Sequence, residues 1–246
     1  MRAPFVAFFA AAALGVTREA AAYRPFDGTD AAVAEVGVFE WEQGGALTRE
    51  GGRNYVAAPA VLNLGLAPNL EAVVDLEPAV GLEPPGEPRF VLAGTDFFLK
   101  WVFRRGGLQD AAGPSLAVEG GPLLPEFHGD ARFGAQVSLL ASERWHFALL
   151  HLNALGAWSR LGHPGALGSV IFEGLPQAPV RPVLELLAGR TRYEGSLVSA
   201  LAGAIWVASD ALDVDAAVRS GREDGHPVIE LRFGVTWAVP FWTPRS

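Results

Sequence analysis

The feature that most constrains this chain is a long alternation of apolar and polar residues near its end, in residues 228–240 (VIELRFGVTWAVP). The apolar positions are Ile229, Leu231, Phe233, Val235, Trp237 and Val239. This is the two-residue period of a β-strand, over a run longer than an ordinary strand uses. One face is continuous hydrocarbon, whereas the other carries Glu230 and Arg232. The pattern predicts a transmembrane β-barrel strand, with lipid outside and a polar lumen inside.

The same alternation recurs in residues 95–104, where four large apolar side chains oppose three charged ones. The apolar set is Phe97, Leu99, Trp101 and Phe103, and the charged set is Asp96, Lys100 and Arg104. A soluble exported β-sandwich is the competing fold, and it would place polar residues on the faces that are apolar here. After the N-terminus, no segment approaches the roughly 20 apolar residues that a spanning helix needs. A membrane protein with this sequence must therefore be a closed barrel.

We predict an all-β fold, an antiparallel up-and-down transmembrane β-barrel of about 12 strands. The predicted strands are 35–43, 55–66, 70–79, 95–104, 114–124, 131–140, 145–158, 169–175, 180–189, 196–207, 211–220 and 228–240. Bacterial barrels have an even strand number, with short periplasmic turns and longer outer loops. The short connections 67–69, 141–144, 176–179 and 208–210 fall on one side only if residues 169–175, the weakest pattern, form a strand. Residues 196–207 are apolar on both faces, so their orientation stays open.

The N-terminus has the order of a secretory signal peptide. Arg2 is followed by an apolar core at residues 5–16, and small residues stand at 20–22. We therefore predict a signal peptide at 1–22, a periplasmic lead-in at 23–34 that reaches the barrel mouth, and an outer-membrane β-barrel at 35–246.

Composition excludes several functional classes. The chain has 19 Lys and Arg against 27 Asp and Glu, a formal net charge of −8, which argues against nucleic acid. It has no cysteine, which rules out disulfides and thiolate metal sites, and its five histidines show no ligand spacing. We expect no cofactor and no metal. The expected partners are outer-membrane lipid and the barrel-assembly machinery.

Several short motifs, in this order, resemble one family. They are Arg24-Pro25-Phe26 with Thr29-Asp30, Glu40-x-Glu42, Leu64-Gly65-Leu66-x-x-Asn69-Leu70-Glu71, Asp96 with Lys100, His151-Leu152-Asn153, Glu185, and Leu231-x-x-Gly234. Together they resemble the outer-membrane family named "MetA-pathway of phenol degradation", which is regarded as a transporter family. Ala31 follows Asp30 where that family usually has a second acid. The resemblance implies a barrel and a transport role.

The alternation predicts which polar side chains line the lumen. The predicted set is Glu40, Asn63, Asp75, Asp96, Lys100, Glu119, Arg132, Gln136, His151, Asn153, Glu185, Asp213, Asp215, Arg219, Glu230 and Arg232. These side chains either steer a solute or pair with each other and fill a narrow interior, because isolated buried charges are costly. For the last two strands, two registers are natural, with Asp215 opposite Arg232 or Arg219 opposite Glu230.

The functional hypothesis is a selective conduit for small hydrophobic or aromatic compounds. Twelve strands are too few for an open porin of about 16–18 strands, and residues 196–207 offer an apolar wall. A structural barrel without transport is one alternative. An outer-membrane lipid hydrolase using His151 and Asn153 is another. It is disfavoured because no serine is obviously paired with them and Leu150 and Leu152 occupy the outward face.

Overall fold

The computed structural model describes residues 24–82, 90–127, 131–192 and 194–242, and its strands form one closed antiparallel sheet. The strands are β1 (Val38–Glu50), β2 (Arg53–Ala57), β3 (Ala60–Ala67), β4 (Leu70–Gly81), β5 (Phe90–Arg104), β6 (Ser115–Leu123), β7 (Gly134–Arg144), β8 (Ala148–Trp158), β9 (Pro164–Gly174), β10 (Val180–Thr191), β11 (Gly195–Ser209), β12 (Leu212–Glu223) and β13 (His226–Pro240).

Pairing of β13 with β1 closes the barrel. Both β2 and β3 pair with β1 and with β4, so they are two halves of one interrupted strand. The described residues thus form twelve strand positions, and the predicted fold class is confirmed. A short 3-10 helix lies at Gly107–Gln109. No helix in the described ranges is long and apolar enough to cross a membrane.

The strands are longer than predicted and several connections are shorter. The predicted loop 44–54 is mostly strand, because β1 continues to Glu50 and turns at residues 51–52. The predicted loop 160–168 shrinks to 159–163, and the weak strand 169–175 belongs to the longer β9. Between β12 and β13, a two-residue turn has φ of 50° at Asp224 and 80° at Gly225, a conformation that favours tight hairpins.

The predicted short connections 67–69, 141–144, 176–179 and 208–210 all correspond to turns at one end of the barrel, as predicted, but the two ends do not divide cleanly into short and long connections. We call the end where β1 begins and β13 ends the termini end, and the opposite end the far end. The termini end has the short turn 68–69 but also the long connection 105–114. The far end has the tight turns 51–52 and 224–225. Short turns therefore occur at both ends, and the far end also has the longer connection 124–133, of which residues 128–130 lie outside the described ranges.

Apolar side chains cover the outside of the barrel. On β13, Leu231 and Phe233 are 49% and 55% exposed, whereas Glu230 is buried. On β5, Trp101 and Phe103 point outward in the same way. A continuous apolar exterior of this extent requires lipid rather than water. The predicted outward facing of these apolar residues and the outer-membrane location are confirmed, whereas Arg104, predicted to face inward, is exposed at the end of β5 beside a register shift.

Tryptophans concentrate at one end of this apolar surface. Those near the termini end are Trp41, Trp101, Trp145, Trp206, Trp237 and Trp242, whereas Trp158 lies at the far end. Ring centroids of Trp101 and Phe103 are 6.0 Å apart, and those of Trp145 and Phe147 are 6.1 Å apart. Such aromatic girdles are typical of the membrane interface.

The structure settles the orientation of β11, which the sequence left open. Leu201 and Ile205 are buried in the barrel, and Val198 and Trp206 point outward. The register of the last two strands is also settled. Arg219 pairs with Glu230, as one of the two predicted registers requires, and Asp215 pairs with Gly234.

Candidate functional site

The lumen is occupied by the chain's own N-terminal segment. Residues 24–34, here called the plug segment, run back from the start of β1 into the barrel. Ala31 and Ala34 are 0% and 2% exposed. At the termini end, Ala34 N–H donates to Glu71 Oε2 at 2.6 Å. The predicted lead-in therefore lies deep in the lumen rather than at its mouth. The predicted signal peptide and Tyr23 lie outside the described residues.

Wall side chains satisfy the backbone of the plug segment. The N–H groups of Asp27 and Gly28 each donate to a Glu185 carboxylate oxygen at 2.8 Å. Asn153 accepts from Thr29 N–H at 3.0 Å and donates to Thr29 O at 2.9 Å. An irregular segment has no strand ladder of its own, so the wall must supply these partners. Glu185 and Asn153 therefore bind the backbone of the plug segment.

Ion pairs tie the inner part of the plug segment to β12 and β13. Arg232 binds Asp27 Oδ1 at 2.7 Å and donates to Pro25 O at 2.8 Å. Arg219 lies 3.7 Å from the other Asp27 oxygen. Arg24 lies 3.6 Å from Asp215. Because these groups are largely removed from water, their attraction is less screened than at a surface.

Lys100 joins the plug segment to the opposite wall. Its ammonium lies 3.6 Å from Asp30 and 3.6 Å from Glu71, and it donates to Thr29 Oγ1 at 3.1 Å. The side chains of Lys100 and Glu71 are fully buried. The charged side chains around Lys100 therefore pair with each other and fill the barrel interior there.

Three further predicted residues are held within the wall itself. Asn63 is fully buried and donates to Glu42 at 2.9 Å. Glu40, also buried, is on the same inward face of β1. Asp213 accepts from Arg181 at 3.2 Å. These side chains contribute to a filled interior rather than to an open path.

His151 has a serine partner, contrary to the expectation from sequence. Ser142 Oγ lies 2.8 Å from His151 Nδ1, and Glu173 Oε1 lies 3.3 Å from His151 Nε2. This is the order of a hydrolase triad. However, Ser142 Oγ also accepts Ala31 N–H at 2.9 Å, and all three side chains are buried. The arrangement fastens the plug segment to the wall and faces neither lipid nor a cavity described below.

A cavity of about 420 Å³ lies against the inner end of the plug segment. Its floor includes Arg24 and residues 26–29. Predicted lumen residues that line it are Asp75, Asp96, Glu119, Gln136, Asn153, Arg219, Glu230 and Arg232. The plug segment thus separates this space from the termini end.

A second cavity of about 380 Å³ lies at the far end, lined by residues of the β8–β12 strand ends. Gln136, Leu155 and Leu167 line both cavities. The two spaces therefore meet across these side chains. Together they occupy the lumen between the far end and the plug segment.

An apolar patch lies inside the barrel, and the plug segment covers it. Val183, Leu201, Ile205 and Ala217 form one buried cluster, and Phe26 packs against it. Phe26 also lines the larger cavity. The apolar wall predicted from residues 196–207 therefore exists on β10–β12, occupied by an aromatic ring.

The structure places Arg132 differently from the prediction. The predicted strand began at residue 131, but β7 begins at Gly134, and Arg132 is an exposed residue before it. Conversely, sequence analysis missed Arg160 in the 159–163 connection. Its guanidinium binds Asp96 Oδ1 at 2.5 Å and lies 3.2 Å from Glu126. A loop residue is outside the two-residue alternation that tells which way a strand residue faces, so no sequence signal could have shown that Arg160 binds Asp96.

The chain is similar to several solved structures, at low sequence identity. No protein-family model matches the sequence, and no curated protein matches it either. Among solved structures, the COG4313 outer membrane channel from Pseudomonas putida F1 has a TM-score of 0.63 at 8% identity, covering 87% of this chain and 100% of that one. The NanC porin has a TM-score of 0.59 at 7% identity, covering 80% and 98%.

The KdgM porin gives a TM-score of 0.53 at 8% identity, also covering 80% and 98%. In the described part of this chain, no group of three or more His, Asp or Glu side chains is arranged to hold a metal ion. The chain has the fold of outer-membrane channels and porins.

Proposed function

We propose that this barrel is a selective conduit for small hydrophobic or aromatic compounds across the outer membrane, opened when the plug segment moves. The observation that carries the proposal is the cavity of about 420 Å³ whose floor is the plug segment. A purely structural barrel has no need of a cavity that leads from its far end to a removable segment. The far end would then face the cell exterior and the termini end the periplasm.

The covered apolar patch supports an apolar solute. Phe26 packs on Val183, Leu201 and Ile205 in an otherwise charged interior. Packing of the Phe26 side chain on this patch supports a binding site for a small aromatic group. Such a solute also loses the fewest hydrogen bonds to water along a narrow path. The likeness to outer-membrane channels and the sequence resemblance to the "MetA-pathway of phenol degradation" family are consistent with this assignment.

The plug segment argues against a wide, nonselective pore. Arg232, Glu185 and Lys100 hold it from different strands. While these contacts persist, hydrated ions have no continuous route along the barrel axis. We therefore expect low ion conductance together with measurable entry of aromatic solutes.

The proposal is tested with purified protein in vesicles whose outer leaflet is lipopolysaccharide, which slows unaided entry of apolar compounds. The probe is N-phenyl-1-naphthylamine, a dye that fluoresces on reaching hydrocarbon. We expect entry several-fold faster than into protein-free vesicles. In planar bilayers, we expect small and infrequent conductance steps.

Two outcomes would contradict the proposal in different ways. Dye entry equal to that of protein-free vesicles would favour a structural barrel. Large, stable, nonselective conductance steps would show an open porin and would remove the selectivity.

A further inference from the structure

The barrel wall has a break at mid-height, between β2 and β3. Ladder pairing of β1 with β2 stops at Ala46 and Ala57, and pairing with β3 starts at Gln43 and Ala60. Pro59, in the gap, has no N–H to donate. The gap is bridged by Gly44 N–H donating to Pro59 O at 2.7 Å rather than by a continuous ladder. Gly44 is central in β1 (Val38–Glu50), which places the gap within the hydrocarbon core.

The strands next to this break are irregular at the same height. The β4–β5 register shifts between Asp75 and Glu77. In β5, Gly94 has φ of +56°, a left-handed conformation. Bulges of this kind loosen a ladder locally and bend the strand. The distortion therefore spans β1 to β5 rather than one residue.

The wall at the gap is one backbone thick. A Cβ atom added at Gly44 would overlap the Arg24 guanidinium inside the barrel, and one added at Gly45 would overlap the Phe233 ring. Phe233 is 55% exposed on the lipid-facing surface. Arg24 also donates to Phe233 O at 3.3 Å. A plug residue and a lipid-facing ring therefore lie against opposite sides of the same two glycines.

A polar side chain holds the gap from outside. Gln43 pairs with Val235, which is exposed to lipid, so its amide lies on the outer face. The amide nitrogen lies 3.1 Å from Pro59 O and 3.4 Å from Ala58 O, as donor to both. Carbonyl groups in hydrocarbon require such partners. The Gln43 side chain thus holds the gap together with the Gly44–Pro59 backbone hydrogen bond.

The larger cavity lies directly behind the gap. Pro59 and Ala60 line it, as do Leu76 and Gly94 from the irregular parts of β4 and β5. An apolar solute in this cavity is separated from lipid by a thin, loosely paired wall. The axial route is closed by the plug segment.

We infer that the barrel opens sideways between β1 and the β2–β3 break, and that a small apolar solute leaves the cavity through this opening into the membrane hydrocarbon. This inference rests on the proposed function. It specifies where the solute leaves the barrel, which the proposed function does not. Opening requires Gln43 to release the two carbonyls and residues 58–59 to move away from Gly44–Gly45. It also requires the plug segment to withdraw Arg24 from its position against Gly44, so the lateral exit depends on plug movement.

A reversible disulfide across the gap tests the inference. The chain has no native cysteine. Ala46 and Ala57 are buried cross-strand partners at the edge of the gap, so the double variant A46C/A57C can bridge β1 and β2. The matched control is A204C/A216C, another Ala–Ala cross-strand pair, in the regular β11–β12 wall. Each variant is reconstituted once, and its dye entry is measured first with the disulfide formed and then after reduction. Because both measurements use the same reconstituted sample, a difference between them reports the disulfide and not misfolding.

The probe is N-phenyl-1-naphthylamine entering the lipopolysaccharide vesicles described above. Oxidised A46C/A57C is expected to slow dye entry at least fivefold relative to its reduced form, whereas oxidation of the control leaves the rate unchanged. Equal rates for oxidised and reduced A46C/A57C, with wild type still faster than protein-free vesicles, would overturn the lateral exit and leave the conduit intact. Wild type no faster than protein-free vesicles would overturn both.

Discussion

The barrel has two walls of different construction. From β10 to β13 the cross-strand registers run almost without interruption, and the one shift, at Val207 and Ser209, lies at the end of β11. From β1 to β5 the wall is interrupted between Ala57 and Ala60 and shifted again beyond Asp75. The regular wall is a continuous ladder, whereas the irregular wall is held in part by individual contacts.

The two walls differ in what they contact. The regular wall carries Glu185, Arg219 and Arg232, which bind the plug segment, and the apolar patch under Phe26. The irregular wall lines the larger cavity next to lipid. The wall that binds the plug segment thus adjoins, through the pairing of β13 with β1, the irregular wall for which we infer a lateral opening. The predictions below compare the two.

The largest effect is expected from a charge on the outside of the regular wall. Leu231→Arg places a guanidinium in lipid, at a cost of about 2–4 kcal/mol near the midplane, and should prevent or strongly impair folding into vesicles. The measurement is the folded fraction from heat-dependent gel mobility. The control, Gln136→Arg, puts the same charge beside the two lumen cavities and should fold normally. Equal folding of both variants would contradict the lipid-facing assignment.

A smaller effect is expected where the regular wall holds the plug segment. In Glu185→Gln, one of the two acceptors for Asp27 and Gly28 N–H becomes a donor, leaving a buried group unpaired at about 1–3 kcal/mol. This should raise the open fraction about 5- to 150-fold. The measurement is open probability in planar bilayers.

The matched control for that substitution is Asp213→Asn, the same chemical change at a residue bound to Arg181 instead of the plug segment. It should leave the open probability close to wild type. If both variants opened the barrel equally, general loosening of the wall would explain the result better than release of the plug segment.

The smallest effect concerns backbone strain in the irregular wall. Gly94→Ala forces a side chain into the left-handed region, at about 1–2 kcal/mol. Gly156→Ala in β8 meets no atom within 4 Å and should change stability by only a few tenths of a kcal/mol. Urea unfolding from vesicles gives both values. Similar values would indicate that the bulge at Gly94 is not needed for the wall.

The regular wall could be predicted from sequence because its outward positions are large and apolar. Leu231 and Phe233 alternate with Glu230 and Arg232, so the facing followed directly and the register was reduced to two alternatives, of which the structure has Arg219 opposite Glu230. The break could not be predicted, because the residues around Ala57–Ala60 and Gly44–Gly45 have small side chains that carry no facing signal. Residues 55–66 therefore suggested one continuous strand.

The contacts between the plug segment and the barrel wall could not be predicted from the sequence, for a different reason. Residues 24–34 have no period, and each contact joins distant positions, such as Ala31 with Ser142 or Thr29 with Asn153. Asn153 and Glu185 were predicted to point inward, but nothing in the sequence indicated that they bind backbone. Arg132 was misplaced because its alternation with Phe133 continues a strand pattern before the strand begins.

The central claim is that movement of the plug segment opens this barrel to solute. A Cβ atom at Gly28 would lie next to Ser169 Oγ on β9, so the double variant Gly28→Cys/Ser169→Cys can tether the plug segment to the wall by a disulfide. The measurement is dye entry into lipopolysaccharide vesicles, before and after reduction. We predict entry close to the protein-free rate when oxidised and close to the wild-type rate when reduced. Entry at the wild-type rate with the disulfide fully formed would contradict the account.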